Sequence, residues 1–205
     1  MATTPQTQMY APPVSPQRHH HLAYVTYDAQ KTADFYTRIM RMPMIGAVME
    51  NRIPSTGEEC TYLHIFFSLA DGSALAFFEA PGIPELPLFA DHPVHQAFNH
   101  VAMEVDTAAD IESWYNWLTQ NDVDVIRTDH GIIESLYFKD PNGVRLEITR
   151  NVDENWTDKI KGGEAILKQW SKTKAEALRN GKDPAKALEV LAISTSRARA
   201  AKASQ

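Results

Sequence analysis

The chain repeats itself, and the repeat limits which folds it can adopt. Residues 21–36 read HLAYVTYDAQKTADFY and residues 100–115 read HVAMEVDTAADIESWY, and the two segments align without a gap. They share four of sixteen positions, and in each copy a strand-like run precedes a helical pattern. Such a repeat predicts two copies of one supersecondary unit, which must bury their sheet faces together.

The later strands follow the same order in both copies. A hairpin is expected around Asp71-Gly72 in the first copy, and another around the turn Asp140-Pro-Asn-Gly143 in the second. When Gly72 is placed on Gly143, Ala76 falls over Glu147. The predicted fold class is therefore α+β, with two pseudo-symmetric modules.

Composition excludes several classes of protein. The net charge of −6 divides into −10 for residues 1–150 and +4 for residues 151–205, and no nucleic-acid-binding motif accompanies the basic part. No apolar run reaches the ~20 residues that span a bilayer, so we expect no membrane partner. The single cysteine, Cys60, excludes a disulfide framework, and without a secretory signal pattern the expected location is cytoplasmic.

Three parts of the chain differ in pattern. Residues 1–18 are rich in Pro, Thr, Gln and Ser and are expected to form a flexible arm. Residues 19–150 hold the repeat, with modules at about 19–82 and 97–150. Residues 151–205 show two helical patterns separated near Gly181, which predicts a C-terminal helical extension.

Three ionisable residues lie at corresponding places in the two modules. His21 and His100 each begin the first strand of a module, and Glu147 lies on the last strand of the second. Each has apolar neighbours, among which an unpaired ionisable group is costly. Two imidazoles and one carboxylate on one side of a metal form the ligand set of non-heme Fe(II) sites, so we expect these residues to converge.

The paired segments, together with the ending YFKDPNGVRLEIT at residues 137–149, resemble the vicinal oxygen chelate superfamily. That group includes glyoxalase I, bleomycin-resistance proteins, methylmalonyl-CoA epimerase and extradiol ring-cleaving dioxygenases. The resemblance implies two βαβββ modules that form a cupped mixed sheet around a divalent metal. It places His21, His100 and Glu147 at the metal-ligand positions, with His20 as a neighbouring competitor for the first.

The fourth ligand position separates the branches of the superfamily. Lyases and epimerases usually carry Glu or Gln there, whereas the turn alignment puts Ala76 at that position. Glu79 has the opposite strand parity, and it becomes a ligand if a bulge shifts the strand. Three ligands are favoured, with Glu79 kept as a possible fourth.

The resemblance also suggests catalytic residues. Tyr137 stands ten residues before Glu147, the spacing of the active-site tyrosine in extradiol dioxygenases, and His130 matches a histidine near their metal. The acid–base histidine that two-domain extradiol enzymes carry is missing from its usual place, and His64 on the neighbouring strand is the candidate replacement.

These features favour an Fe(II)-dependent ring-cleaving dioxygenase that takes a catechol-like small-molecule substrate and dioxygen. The alternatives are a glyoxalase-like lyase or isomerase with Zn, Ni or Mn, and a metal-free ligand-sequestering protein of the bleomycin-resistance type. A homodimer is expected from the resemblance.

Overall fold

The computed structural model describes Pro16 and residues 18–82, 93–153 and 163–203. Apart from Pro16 and Arg18, the predicted N-terminal arm lies outside these residues. The chain divides into two compact units, Met1–Asn151 and Val152–Gln205.

The first module follows the order strand, helix and three strands. Its bounds are β1 His21–Val25, α1 Ala29–Asp34, β2 Met44–Arg52, β3 Glu59–Ser68 and β4 Ala74–Glu79. A π-helical turn, Phe35–Ile39, continues α1.

The second module repeats that order after a short helix. Its bounds are α2 Pro93–Phe98, β5 Val101–Glu104, α3 Ala108–Gln120, β6 Ile126–Asp129, β7 Ile133–Lys139 and β8 Arg145–Asn151. The α+β class and the two βαβββ modules are thereby confirmed.

Each module forms its own four-stranded mixed sheet, in the order β1-β4-β3-β2 and β5-β8-β7-β6. The registers are equivalent, because β1 pairs with β4 in parallel as β5 pairs with β8. Ala76 lies opposite Ala23 in the first sheet, and Glu147 lies opposite Ala102 in the second. The alignment of the two turns therefore gives the correct structural correspondence.

The helices begin where the sequence indicates. The Asp28 side chain accepts a hydrogen bond from the Lys31 amide and caps α1. Thr107 and Asp110 form a capping box at the start of α3.

One face of each sheet packs against the helices, and strand alternation assigns the residues to it. The largest buried side chains there are aromatic in the first module and aliphatic in the second. They are Tyr36, Phe67 and Phe77, and Ile111, Leu118, Leu136 and Leu146.

Hydrogen bonds join the two modules. Asn142, in the β7–β8 turn, accepts from the Thr26 hydroxyl at 2.8 Å and donates to the Thr32 hydroxyl at 3.0 Å. The Tyr36 hydroxyl donates to the Asp140 carboxylate at 3.1 Å. Burial and the Asp140 charge raise the Tyr36 pKa well above its usual value.

Two strands differ from expectation. The sequence analysis did not predict β2, because residues 44–52 carry their apolar side chains without regular alternation. Most of that strand is solvent-exposed, so burial does not impose a period on it. The sequence of residues 123–127 is typical of a strand, whereas β6 begins only at Ile126.

The second unit contains α4 Gly163–Arg179 and α5 Pro184–Ala203, which contact each other. Across the described ranges, no helix has the length and apolar character needed to cross a bilayer.

Candidate metal and substrate site

The sheet faces turned away from the helices carry the candidate site residues. On the second sheet the strand register places polar side chains together on this open face. Those used below are His100, Ser135, Tyr137, Lys139, Arg145, Glu147 and Thr149.

His100 and Glu147 meet on this face. The His100 Nε2 lies 2.9 Å from the Glu147 Oε2, and the Glu147 side chain is 3% exposed. The other carboxylate oxygen, Oε1, accepts a short hydrogen bond from the Ser135 hydroxyl. Ser135 is also 3.0 Å from the Thr149 hydroxyl, so the buried carboxylate is fixed on both sides.

The orientation of the His100 ring shows that a positive charge belongs between these two groups. Its Nδ1 is 2.9 Å from the Phe98 carbonyl oxygen, which only accepts hydrogen bonds, so Nδ1 carries a hydrogen. In the neutral ring, Nε2 would then point a lone pair at a buried carboxylate oxygen. A proton or a metal cation on that nitrogen removes the repulsion, and a carbonyl-bonded imidazole paired with a carboxylate is a typical metal-ligand arrangement. The donor set therefore fits a divalent metal.

Tyr137 and His130 lie beside this pair. The His130 Nε2 is 3.1 Å from the Tyr137 hydroxyl, and the Tyr137 ring meets the His100 ring edge-on at 5.8 Å between centroids. Burial raises the Tyr137 pKa, and the Glu147 charge raises it further. The hydroxyl thus remains protonated near neutral pH and is available as a hydrogen-bond donor.

His21 lies in a different cluster, on the open face of the first sheet. Its ring contacts Phe66 at 5.8 Å and His64 at 6.2 Å between centroids, and its Nδ1 is 2.8 Å from the Nδ1 of His20. The His64 ring stacks on Phe78, and its Nε2 is buried without a partner. Burial lowers the His64 pKa, and nearby His21 contributes to the shift.

The structure thus joins two of the three expected ligands. Within the described ranges, no group of three His, Cys, Asp or Glu side chains is placed to hold a metal ion. A cavity of about 300 Å³ lies at the starts of both first strands, lined by His19 and Leu22 on one side and by His100 and Ala102 on the other. His21 precedes Leu22 in the chain and therefore lies next to this cavity. Convergence of all three ligands stays a prediction.

Glu79 lies elsewhere, at the start of α1. Its Oε2 accepts a hydrogen bond from the Ala29 amide at 2.6 Å. The register places Glu79 opposite Leu63, on the side facing the helices, whereas Ala76 shares the open face with His21. As a partner of the helix terminus, Glu79 has a structural function in this conformation.

The sequence analysis did not identify two residues of this site. Ser135 holds the Glu147 carboxylate, and Arg145 places its guanidinium 4.3 Å from the centroid of the Tyr137 ring. Both share strand parity with residues that were identified, Ser135 with Tyr137 and Arg145 with Glu147. Extending the alternation along each strand would have found them.

Comparisons with known proteins agree with this architecture. Residues 18–148 match the Glyoxalase/Bleomycin resistance protein/Dioxygenase superfamily. The metallothiol transferase FosB of Staphylococcus haemolyticus (strain JCSC1435) is 26% identical over 132 residues, which are 63% of this chain and 80% of that protein.

Two crystal structures share the fold. A glyoxylase/bleomycin resistance protein/dioxygenase domain from Frankia sp. EAN1pec has a TM-score of 0.55 at 14% identity, covering 67% of this chain and 99% of that one. A glyoxalase/dioxygenase from Nostoc punctiforme has a TM-score of 0.50 at 19% identity, covering 71% and 100%. With the family match extending over both modules, the chain belongs to the Glyoxalase/Bleomycin resistance protein/Dioxygenase superfamily.

Proposed function

We propose that this protein is a metal-dependent enzyme that acts on a small molecule with neighbouring oxygen donors, and that His21, His100 and Glu147 hold the metal. The observation that carries the proposal is the His100 Nε2 directed at the buried Glu147 carboxylate. These two donors, which would hold a cation between them, are two-thirds of the proposed ligand set.

A bound divalent metal would polarise a substrate oxygen and leave positions open beside the three protein ligands. The residues around it would orient the substrate and move protons. The Tyr137 hydroxyl is placed to donate to a substrate oxygen, and His130 is placed to exchange a proton with Tyr137. His64 is a further candidate, because its unpartnered Nε2 lies near His21.

The reaction class we favour is a transfer, addition or isomerisation with Zn, Ni or Mn rather than oxidation with iron. The supporting finding is the similarity to a metallothiol transferase. Because Glu79 is bonded to the Ala29 amide, the proposal assigns proton transfer to Tyr137 and His130 instead of a fourth carboxylate.

The second candidate is the Fe(II)-dependent ring-cleaving dioxygenase acting on a catechol-like diol and dioxygen. One observation favours it: the hydrogen bond between His130 and Tyr137, the two residues that the resemblance to extradiol enzymes singled out. A ring-cleaving dioxygenase of this kind would require iron, so the identity of the bound metal distinguishes the two candidate functions.

Metal binding tests the proposal first. The protein should be purified anaerobically, its metal content measured, and the metal-free form titrated with Mn(II), Zn(II), Ni(II) and Fe(II). We expect one site per chain that His100→Ala and Glu147→Gln abolish and His21→Ala weakens. Glu59→Gln, which alters an exposed partner of Arg52, serves as the control. Unchanged affinity in His100→Ala would refute the ligand assignment.

The loaded protein then distinguishes the reactions. A thiol with an electrophilic small molecule, a thiohemiacetal and a vicinal aromatic diol are offered in turn. Product formation with Mn, Zn or Ni and no oxygen uptake supports the favoured class. Oxygen consumption with the diol and iron supports the second candidate, and inactivity with every metal refutes both.

We further propose that the protein is a homodimer. Apolar side chains are exposed on β2, including Ile45 at 59% and Met49 at 76%, and such a strand edge commonly pairs with a second copy. Light scattering should give twice the chain mass, and Met49→Lys should shift it towards the monomer. A monomeric wild-type protein at all concentrations would refute the dimer.

A further inference from the structure

Arg145 has no counterpart in the first module. The register that pairs Val101 with Leu146 places Arg145 beside His100, and the equivalent position beside His21 is Ala74. Glu147 and Tyr137 likewise stand where the first module has Ala76 and Phe66. The second sheet therefore carries a cation, which the first sheet lacks at the equivalent position, next to the carboxylate and the phenol of the candidate site.

The Arg145 guanidinium is held in place and yet lacks a full set of partners. Its carbon lies 4.3 Å from the centroid of the Tyr137 ring, so a cation–π contact fixes its plane. Its Nε is buried without a hydrogen-bond partner. The hydrogen bonds and ion pair found for the Glu147 carboxylate go to His100 and Ser135 and do not include Arg145. The described residues supply no hydrogen-bond acceptor to Arg145, so its terminal N–H groups would be available to an anion in the adjoining cavity.

A cavity lies next to this guanidinium. It has a volume of about 470 Å³, and Arg145, Tyr137 and Lys139 line one wall. Lys31 adds a third cation. Of the carboxylates in the lining, Asp140 is occupied by hydrogen bonds from Tyr36, Asn142 and the Val144 amide. Asp122 and Asp124, on the loop between α3 and β6, also line this cavity.

We propose that Arg145, oriented by the Tyr137 ring, is the anion-binding residue of a substrate subsite, and that the substrate carries a carboxylate or a phosphorus oxyanion. This inference rests on the proposed function, since it places the anion beside the metal ligands. Arg145 and Glu147 are two positions apart on β8, a Cα separation of about 7 Å. The substrate therefore presents its metal-binding oxygens and its anionic group at about that separation, and the fork of the guanidinium donates to two oxygens of the anion together.

Anion titration of the metal-free protein tests the subsite independently of catalysis. Inorganic phosphate and acetate are the probes, and binding is followed by calorimetry and by amide chemical shifts. We expect millimolar binding of at least one anion that weakens with added salt. Tighter binding of phosphate identifies a phosphorus oxyanion as the natural group, and tighter binding of acetate identifies a carboxylate.

Two variants assign the site. Arg145→Gln should weaken anion binding by about tenfold or more, and Arg145→Lys, which keeps the charge and loses the fork, should fall between. Arg52→Gln, which alters an exposed arginine on β2, should bind as the wild type does. Equal binding in Arg145→Gln, or no binding of either anion to the wild type, overturns the proposal.

Further measurements separate this inference from the metal site. Arg145→Gln should keep its affinity for the metal, and His100→Ala should lose the metal while it still binds the anion. If Arg145→Gln does not fold, the amide chemical-shift changes that the anion causes in the wild type decide where the anion binds. Shifts around Arg145 and Tyr137 support the subsite, and shifts confined to other residues overturn it.

Discussion

Single residues with similar sequence signals have different functions in this protein. Glu79 and Glu147 are both carboxylates on the last strand of a module, yet Glu79 faces the helices and Glu147 faces the open side. Strand parity predicted that difference. The hydrogen bond from Ala29 to Glu79 could not be predicted, because it depends on how α1 approaches β4 in space.

The first prediction concerns Glu79. Glu79→Ala removes an acceptor and a negative charge from the start of α1 and should lower the free energy of unfolding by about 1 kcal/mol. Metal affinity should not change. Asp28→Ala, which removes the other side-chain acceptor at the same helix start, is the matched control for thermal unfolding and metal titration. Loss of metal affinity in Glu79→Ala alone would make Glu79 a fourth ligand.

The second prediction concerns Ser135, whose hydroxyl holds the Glu147 carboxylate. Ser135→Ala frees that oxygen and should lower metal affinity by about 10–100-fold, the range seen for residues that orient a ligand. Thr128→Ala serves as control, because Thr128 lies opposite Ser135 on the neighbouring strand. Calorimetric titration with Mn(II) measures both variants, and equal affinities would show that Ser135 does not position the carboxylate.

Among the secondary-structure elements, the helices and the paired strands of each module followed from capping residues, turn residues and periodicity. The exceptions have physical causes. β2 carries little buried surface, and the apolar pattern of β6 already begins at residue 123, before the strand itself. An ion-pair network also joins elements distant in sequence: Arg127 on β6 pairs with Glu112 on α3 and with Glu134 on β7, and Glu134 pairs with Arg150 on β8.

The third prediction follows from this network and sets a pH dependence. The hydrogen bond from Arg127 holds the pKa of Glu134 below its usual value of 4.5, and Arg150 contributes to the shift. Because the folded pKa is the lower one, the pair stabilises the fold above about pH 4.5, and the contribution is lost as the pH falls through the folded pKa.

Urea unfolding of Glu134→Gln tests this dependence. At pH 7 the variant should be about 1–2 kcal/mol less stable than the wild type, because two arginines lose a carboxylate that is 14% exposed. The difference should shrink at acid pH. Glu112→Gln, which alters a 55% exposed partner of Arg127, should cost about 0–1 kcal/mol. A difference that stays constant down to acid pH would contradict the pH dependence.

At the scale of the whole molecule, the sequence predicts two modules with equivalent elements. It does not predict how the sheet faces of the two modules meet. Residue patterns specify which side chains share a sheet face, and the register places His100, Glu147 and Tyr137 on one face. The position of His21 relative to His100 and Glu147 depends on how the two separately bonded sheets meet, and strand alternation carries no information about that arrangement.

The contacts between modules lead to the last prediction. Asn142 reaches from the second module to Thr26 and Thr32 of the first, and these two hydroxyls are buried. Asn142→Ala leaves both without their amide partner and should lower the free energy of unfolding by about 1–3 kcal/mol. Asn121→Ala removes an amide that bonds to Trp117 within the same module and should cost less. Tryptophan fluorescence reports on Trp114 and Trp117 of α3 and also on the two tryptophans of residues 152–205, whereas hydrogen exchange resolves both modules. Because the modules share one core, the two probes should give a single transition in the wild type. In Asn142→Ala the unfolding transitions should shift to lower stability, either together or as two separate transitions. A stability equal to that of the wild type would show that this bridge does not join the modules.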